Sequence, residues 1–370
     1  MTMAVTLAMY VARLFLGSAL SMIAALAGLV ALFDFIELLR RAVTKEDASF
    51  AIVAEIAGLR VPWIVMEILP FGILLGGILA FSRLTRSSEL VVARAAGISA
   101  WQFLAAPVLC AVGLGVVATT VLSPISAVFR ARAEALDTEY LRTAGGTMSL
   151  SGDHLWLRQS DAGIEPHGVA ILRADAVHDV DGALRVGPVT VFRLNDADQL
   201  LERIDAVSGR LLDGAWLLNG ARSVAPGRLP GPPAEVRLPT DLTSARVQES
   251  FAPPDTFSIW TLPGFIALLD RSGFSSVRHR LHFQSLLALP LLAGTMCLLA
   301  AAFSMRPARR GGVARMLGSG VATGFALFLI TKVAAEFGVS GALPASLAAW
   351  APAGAGLLLA VALLLHLEDG

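Results

Sequence analysis

Six apolar segments, each long enough to cross a lipid bilayer, determine what this 370-residue chain can fold into. A membrane-spanning helix needs about 20 consecutive, mostly apolar residues. The sequence is 55% hydrophobic and 16% charged, whereas soluble proteins have about 25% charged residues. The segments are Leu14–Phe33, Val61–Ser82, a stretch within Ala95–Leu122, Phe283–Met305, Val313–Glu336 and Leu343–Leu365. This pattern predicts an α-helical membrane protein with six transmembrane helices.

The polar middle of the chain has the composition of a β domain. Short runs rich in β-branched and aromatic residues alternate there with links rich in Gly, Asp, Asn and Pro. The clearest runs are 155–158, 168–172, 189–194 and 215–218. The sequence therefore predicts an all-β insert over residues 146–250, preceded by a charged helix at 124–143. An amphipathic helix is expected at Phe257–Leu269, with Trp260, Leu262 and Phe265 at an interface.

These segments give a predicted division of the chain into three parts. They are residues 1–123 with transmembrane helices 1 to 3, residues 124–255 with the β domain and its helical lead-in, and residues 256–370 with the amphipathic helix and transmembrane helices 4 to 6. Residues 42–60 are predicted to be a polar link between the first two spans. Gly72 and Gly76 form a GxxxG pair, which permits close contact between membrane helices.

The positions of the arginines predict the orientation, because short cytoplasmic loops carry an excess of Lys and Arg. Residues 83–99 and 306–315 contain Arg83, Arg86, Arg94, Arg306, Arg309, Arg310 and Arg315, opposed only by Glu89. The competing segment, residues 37–60, has four basic and four acidic residues. We therefore predict that both termini are cytoplasmic and that the β domain lies on the opposite side of the membrane.

The loop after the second span contains a short helical pattern, Ser87-Ser88-Glu89-Leu90-Val91-Val92-Ala93-Arg94-Ala95-Ala96-Gly97. Ser87 or Ser88 can cap the helix N-terminus, Glu89 then faces the positive end of the helix dipole, and Gly97 ends the helix. An isolated helix of fewer than about 12 residues is marginal in water, so another surface must hold it. That surface is the bilayer, with the helix as an amphipathic connector, the chain's own helices, or the groove of a partner.

Residues 83–99 resemble the coupling-helix motif of the lipopolysaccharide-export permeases of the LptF/LptG family. The Ser-Glu-Leu-Val-Val form is more similar to the LptG branch, and the hydrophobic layout of nearly the whole chain fits the family. The resemblance implies a permease subunit of an ABC transporter in the inner membrane of a Gram-negative bacterium. Such a subunit extracts lipopolysaccharide and passes it to a periplasmic bridge, and its β insert is a jellyroll-like periplasmic domain.

The resemblance also implies a set of partners. They are an LptF-like membrane subunit, an LptB-like ATPase dimer, LptC and an LptA-like periplasmic bridge. The residues implied to contact the ATPase are Arg86, Ser88, Glu89, Leu90, Arg94 and Gly97.

Several motifs of enzymes and cofactor sites are missing from the sequence. No G-x-x-x-x-G-K-[ST] motif occurs, so ATP and Mg²⁺ are expected to bind to the partner ATPase. No nucleophile motif or metal-ligand spacing predicts an enzyme, and no bound cofactor or metal is expected. Because 29 Lys and Arg balance 29 Asp and Glu, the net charge gives no indication of nucleic-acid binding.

Three basic residues, Arg40, Arg41 and Lys45, follow the first span. Basic side chains at the end of a span often only reach the lipid headgroups. The family resemblance favours a second interpretation, a basic mouth that binds the phosphates and acidic sugars of lipopolysaccharide. Both interpretations stay open at the level of sequence.

Three ionisable residues, Glu67, Lys332 and Glu336, lie inside predicted spans. Such groups are costly in a bilayer and usually face a protein interior or a cavity. Lys332 and Glu336 share a helix face at i,i+4, which favours a structural ion pair over a gate or substrate contact. The partner of Glu67 is not visible. If all three served as coupling residues, the chain would instead be an ion-coupled secondary transporter of a lipid or another amphiphile.

Overall fold

A computed structural model divides the chain into two compact units. We call them the helical unit (Met1–Leu141, Pro254–Pro263 and Val277–Gly370) and the β unit (Arg142–Pro253 and Gly264–Ser276). The structure describes residues 2–43, 49–87, 89, 92, 99–141, 148–151, 154–161, 168–175, 177–180, 183–195, 199–212, 214–227, 230–240, 253–271, 275–305 and 313–368.

The helical unit provides the membrane-spanning part of the protein. The described part of the chain contains the α-helices α1 (Thr2–Ala42), α2 (Phe50–Arg86), α3 (Ala100–Val117), α4 (Ser123–Leu136), α5 (Leu262–Arg271), α6 (Val277–Ser304), α7 (Val313–Val339) and α8 (Ala345–Glu368). Within the described residues, six helical stretches are long and apolar enough to cross a membrane. They are Thr6–Ala42, Phe50–Arg86, Ala100–Leu141, Val277–Ser304, Gly318–Val339 and Ala345–His366. The predicted fold class, six transmembrane helices with an inserted β domain, is confirmed.

The connection between α1 and α2 is shorter than predicted. The predicted polar link over residues 42–60 is wrong, because α1 continues to Ala42 and α2 begins at Phe50. Ser49 caps α2, since its hydroxyl accepts a hydrogen bond from the Ile52 backbone N–H (3.4 Å). Glu55 and Arg60 thus belong to a helix that begins before the apolar span.

Apolar side chains hold the extended ends of α1 and α2 against α4. Their buried cluster comprises Leu38, Ala42, Val53, Ile56, Ala57, Ala133, Leu136 and Leu141. At the same end of α2, the Arg60 side chain is 11% exposed and forms two ion pairs. Its Nη1 donates to Asp34 Oδ1 (3.1 Å) and its Nη2 donates to Asp137 Oδ1 (3.3 Å). A buried arginine therefore joins α1, α2 and the helical lead-in of the β unit.

Helix α2 packs closely on α1 through the glycine pair. A Cβ atom added at Gly76 would lie 2.4 Å from the Ala19 Cα atom, and one at Gly72 would lie 2.5 Å from Ile23 Cγ1. Any side chain at Gly76 would overlap the backbone of α1, so glycine is required for this approach. The predicted close helix contact at the GxxxG pair is confirmed.

The third span begins at a well-defined cap. Ser99 and Gln102 form a capping box, in which each side chain bonds to the other residue's backbone N–H. Helix α3 then continues through a π-helical segment, Ala118–Leu122, into α4 and a second π-helical segment, Asp137–Leu141. The predicted helical extension over residues 124–143 is therefore helical as far as Leu141, and the residues beyond it, 142 and 143, are outside the described part.

The β unit is built on one antiparallel sheet. Its strands are β1 (Met148–Ser151), β2 (His154–Ser160), β3 (Val169–Asp175), β4 (Val177–Val180), β5 (Ala183–Val186), β6 (Val189–Leu194), β7 (Leu200–Ala206), β8 (Ser208–Leu212), β9 (Ala215–Val224) and β10 (Ala234–Pro239). The strand order is β1-β2-β3-β6-β7-β9-β8-β5-β4, and β10 pairs with β9. All four runs singled out in the sequence overlap strands, namely β2, β3, β6 and β9.

Alternating side chains on the strands form the core of the β unit. Leu172, Val191 and Trp216 are each fully buried. On β6, Arg193 lies between Asp161 (Nη2–Oδ1 3.1 Å) and Glu202 (Nη1–Oε2 2.8 Å). Burial alone would lower the pKa of Arg193, but the hydrogen bonds to these carboxylates raise its pKa above the ordinary value. The network connects β6 to β7 and to the end of β2.

Helix α5 begins later than the sequence predicted, and its apolar residues have different neighbours. It starts at Leu262 because Pro263 suits the first turn, where no backbone N–H is needed. Trp260 is 67% exposed, whereas Leu262 is fully buried. Phe265 packs against the β-unit core, to which Leu269 of the same helix belongs. The expectation that Leu262 lies at an interface is therefore wrong, because protein side chains cover it, whereas the expectation for the half-buried Phe265 stays a prediction.

The buried position of Arg60 gives a stability prediction. Arg60→Leu would leave Asp34 and Asp137 without this cation, and breaking a buried ion pair costs about 3–5 kcal/mol. Arg132→Leu is the matched control, because Arg132 is 62% exposed and lies 3.8 Å from Glu55. Loss of such a surface pair costs at most about 1 kcal/mol. Thermal unfolding of both variants in detergent measures the difference, and equal melting temperatures would contradict it.

Candidate functional site

The first group of candidate residues lies where α2 ends and the coupling stretch begins. Glu89 and Val92 are helical, and Val92 is 67% exposed. The Glu89 carboxylate accepts hydrogen bonds from the Ser87 hydroxyl (2.8 Å) and from the Tyr10 hydroxyl of α1 (3.4 Å). These contacts hold the only described acidic group of residues 83–99 against the end of α1. Predicted contact residues Ser88, Leu90, Arg94 and Gly97 lie outside the described residues.

Ser87 ends α2, and its hydroxyl bonds to α2 as well as to Glu89. Its backbone N–H and its hydroxyl both bond to the Arg83 carbonyl oxygen (3.0 Å each). Ser87 is one of the two residues predicted to cap the N-terminus of the coupling helix, and in the structure it is the C-cap of α2. Arg86, one residue earlier, is exposed in the last turn. Two described residues of opposite charge, Arg86 and Glu89, therefore lie on this surface, where a partner can contact them.

The second group is the basic mouth at the other end of α1. Arg40 and Arg41 both form ion pairs with Glu37, with Nε–O distances of 2.9 and 3.1 Å. Their side chains are 78% and 54% exposed, so these pairs are weak and open to exchange with another anion. The third predicted residue, Lys45, lies outside the described residues. Sequence reasoning missed Glu37 as the counter-ion, although its i,i+3 and i,i+4 spacing to the arginines is a signal for it.

The third group lines a cavity of about 600 Å³ between α2, α6, α7 and α8. Its apolar wall includes Leu289, Leu292, Met296, Phe328 and Ala353. Its ionisable lining residues are Glu67, Asp255, Arg278, His282, Lys332 and Glu336. Ligand sites in proteins commonly have this combination of an apolar wall and a few polar groups.

The Lys332 ammonium bonds to Glu67 of α2, across the boundary between two helices. The sequence favours an ion pair with Glu336 within α7, and the structure instead gives the bond to Glu67, because α7 packs beside α2 and the two side chains meet in the cavity. Along the same boundary, a Cβ atom at Gly324 would lie 1.9 Å from Leu74 Cδ2. The ring centroids of Phe71 and Phe325 are 6.5 Å apart. Glu336 lines the same cavity one turn further along α7.

Sequence reasoning also missed Arg130. Its Nε donates to Asp255 Oδ2 (2.9 Å), and its guanidinium carbon lies 4.7 Å from the centroid of the Trp63 ring. These contacts connect α4, the segment before α5, and α2 at the rim of the cavity. The charged helical pattern around Arg130 predicts a helix there. A single sequence does not show that Arg130 pairs with Asp255, which is 125 residues further along the chain.

The fold and these sites define a multi-pass membrane protein whose candidate transmembrane helices flank an inserted antiparallel β domain. The family model described as "Lipopolysaccharide export system permease LptF/LptG" matches residues 9–366, and the chain belongs to this family. The resemblance found in the sequence is thereby confirmed. The family is a transport permease rather than an enzyme and is a component of the lipopolysaccharide export system. The protein is therefore a multi-pass inner-membrane permease.

Two known proteins illustrate the similarity. The lipopolysaccharide export system permease protein LptG of Haemophilus influenzae is 23% identical over 352 residues, which cover 94% of each chain. The protein of the same name from Escherichia coli K12 is 21% identical over 321 residues, which cover 83% of this chain and 84% of the relative. The similarity therefore extends over the helices and the β domain.

The Lys332–Glu67 contact gives a prediction for the cavity. Glu67→Lys or Lys332→Glu alone would place like charges side by side, whereas the double variant restores an opposite pair. We expect each single variant to lower the melting temperature and the double variant to recover most of the loss. Because both groups are partly exposed, the coupling energy is on the order of 1 kcal/mol. Glu336→Gln serves as the control, and purely additive effects in the double variant would contradict the pairing.

Proposed function

We propose that the chain is the LptG-type membrane subunit of an ABC transporter that moves lipopolysaccharide out of the inner membrane. The observation that carries this proposal is the family match over residues 9–366. In this proposal the termini are cytoplasmic, the β unit is periplasmic, and a separate LptB-like ATPase dimer supplies the energy from ATP and Mg²⁺. The β unit passes the lipid to LptC and an LptA-like bridge.

A related LptF-like subunit completes the proposed transporter. Helices α1 and α7 support this, because both present rows of large apolar side chains at their surfaces. These are Leu20, Leu29, Leu32 and Phe33 on α1, and Phe325, Leu329, Ile330, Val333 and Phe337 on α7. Such faces fit either lipid tails or another apolar helix. A cavity between the two subunits would hold the acyl chains in apolar surroundings.

The energetics favour a cavity that stays apolar throughout the cycle. Moving one CH₂ group from an apolar environment into water costs about 0.8 kcal/mol. Exposing several acyl chains to water would therefore cost tens of kcal/mol, far more than one step of ATP hydrolysis supplies. ATP needs to drive only the difference between two apolar environments, the bilayer and the cavity.

The coupling stretch is the proposed contact with the ATPase. Glu89→Arg would reverse the charge that Ser87 and Tyr10 hold at this surface. We expect the variant to insert normally but to lose most of its association with the ATPase, or most of its lipid export. Co-purification from membranes and a reconstituted transport assay measure the two outcomes.

The control for this variant is Glu55→Arg, which reverses a more exposed acidic residue near the opposite end of α2. It should leave ATPase association unchanged. Full ATPase binding together with full export in Glu89→Arg would sink the coupling proposal. A chain that purifies alone and shows ion-dependent lipid flux would instead support the ion-coupled transporter.

The basic mouth is the proposed binding site for lipid phosphates. Replacing Arg40, Arg41 and Lys45 with Gln should weaken binding of lipopolysaccharide about tenfold or more, since a hydrogen bond to a charged group contributes roughly 1.5–3 kcal/mol. Glu37→Gln should strengthen binding of lipopolysaccharide, because Glu37 competes with the lipid phosphates for both arginines. Binding of phosphorylated and dephosphorylated lipid in detergent measures both effects.

Dephosphorylated lipid is the internal control for this experiment. If the three residues only reach the headgroups of the surrounding bilayer, the triple variant will bind both lipids as the parent does. That result would remove these residues from the substrate site without affecting the coupling proposal, because the ATPase contact is tested separately.

A further inference from the structure

A second cavity, of about 440 Å³, lies at the end of α2 that is remote from the β unit's attachment point at Leu141. Its described lining consists of Ile78, Leu79, Ser82, Arg83, Arg86 and Ser87. The family match assigns no lipid to this cavity, and of its described lining residues Arg86 alone is among those implied to contact the ATPase. Two arginines and two serines therefore share one cavity with two aliphatic side chains, and no described acidic residue lines it.

The positive charge of this cavity is not neutralised within the described part of the chain. Arg83 and Arg86 form no ion pair there, although the acidic residue Glu89 lies close by. The Glu89 carboxylate instead accepts hydrogen bonds from Ser87 and Tyr10. Two adjacent guanidinium groups at the membrane surface without a counter-ion attract an anion from outside the chain.

The backbone carbonyls at the end of α2 do not hold these arginines. Arginines near a helix C-terminus often cap its carbonyls, and this is the ordinary explanation of such residues. In α2 the hydroxyl groups of Thr85 and Ser87 bond to these carbonyl oxygens instead. Thr85 Oγ1 donates to the Phe81 carbonyl oxygen (2.8 Å). Ser87 Oγ lies within hydrogen-bond distance of the carbonyl oxygens of Arg83 (3.0 Å) and Leu84 (3.3 Å). Both guanidinium groups are therefore left available for a ligand.

Ser82 provides an independent indication of a ligand. Ser82 lines the cavity, and its Oγ atom is buried and has no hydrogen-bond partner among the described residues. A buried hydroxyl without a partner is destabilising, so such a group usually meets a ligand or a water. An oxyanion in the cavity would accept this hydrogen bond and bind the two guanidinium groups.

We propose that this cavity binds the phosphate of an anionic phospholipid. Arginine recognises phosphate oxygens through paired N–H donors, and the Ser82 hydroxyl adds a neutral donor. Ile78 and Leu79 continue from this polar end along α2, and Leu79 is 51% exposed on the helix surface. The aliphatic side favours a lipid over free phosphate, because a lipid also covers this apolar surface. In the proposed orientation the lipid belongs to the inner leaflet, away from the lipopolysaccharide site.

The test is lipid binding to the purified full-length chain in neutral detergent, measured by native mass spectrometry. The probes are short-chain phosphatidylglycerol, phosphatidylcholine and inorganic phosphate. We expect saturable binding of phosphatidylglycerol that phosphatidylcholine and millimolar phosphate do not displace. Arg83→Gln should weaken it about tenfold, which corresponds to about 1.4 kcal/mol. Ser82→Ala should weaken it severalfold, and Arg83→Lys should retain much of the binding.

Two matched variants separate this site from general attraction of anions. Arg13→Gln removes an exposed positive charge from α1 near Phe15, whose ring stacks on Phe81 with centroids 6.0 Å apart. Ser304→Ala removes another buried hydroxyl without a partner that is not among the residues lining the cavity. Both should bind like the parent. Three results would each overturn the proposal of a lipid site. They are parent-like binding of phosphatidylglycerol by Ser82→Ala, a loss in Arg13→Gln as large as that in Arg83→Gln, and displacement of the lipid by inorganic phosphate.

Discussion

The close contact between α1 and α2 at Gly76 is the constraint on which the helical unit depends. Membrane helices gain little from burying apolar surface against each other, because lipid tails are equally apolar, so close packing of backbones has to hold them. A Cβ atom at Gly76 would lie 2.4 Å from the Ala19 Cα atom, so only glycine permits this approach. Helix α2 in turn packs on α4, α6 and α7. The positions of all ionisable groups on α2 follow from this packing.

Those ionisable groups meet three different surroundings along one helix. Arg60 is 11% exposed and has two carboxylate partners. Glu67 faces the cavity and has a partner on α7. Arg83 and Arg86 reach the end of the helix, where no described acidic group pairs with them. Burying a charge is costly unless it is paired, and this cost falls toward the bilayer surface. The degree of pairing along α2 therefore follows how far the surrounding protein buries each charge, from Arg60 through Glu67 to the exposed Arg83 and Arg86.

The apolar spans, the strands and the glycine contact could be predicted from the sequence because each depends on neighbouring residues. The helical conformation of residues 50–60 was not predicted, since α2 has 37 residues and, at about 1.5 Å per residue, is about 55 Å long. A bilayer core is about 30 Å thick, so polar residues occupy helical turns beyond it. Pairs such as Lys332–Glu67 and Arg130–Asp255 join residues far apart in the chain. A single sequence contains no signal for them.

The length of α2 also bears on how the proposed transporter would work. The apolar cluster around Leu136 and Leu141 holds one end of α2, and its other end continues into the coupling stretch. Helix α2 packs on α1, α6 and α7 and ends at Ser87, so in the proposed mechanism a displacement of the coupling stretch moves the end of α2. The Lys332–Glu67 bond then lies on the path of that motion, at the boundary where α7 meets α2. The coupling stretch and the cavity can therefore act together although they lie at different depths of the membrane.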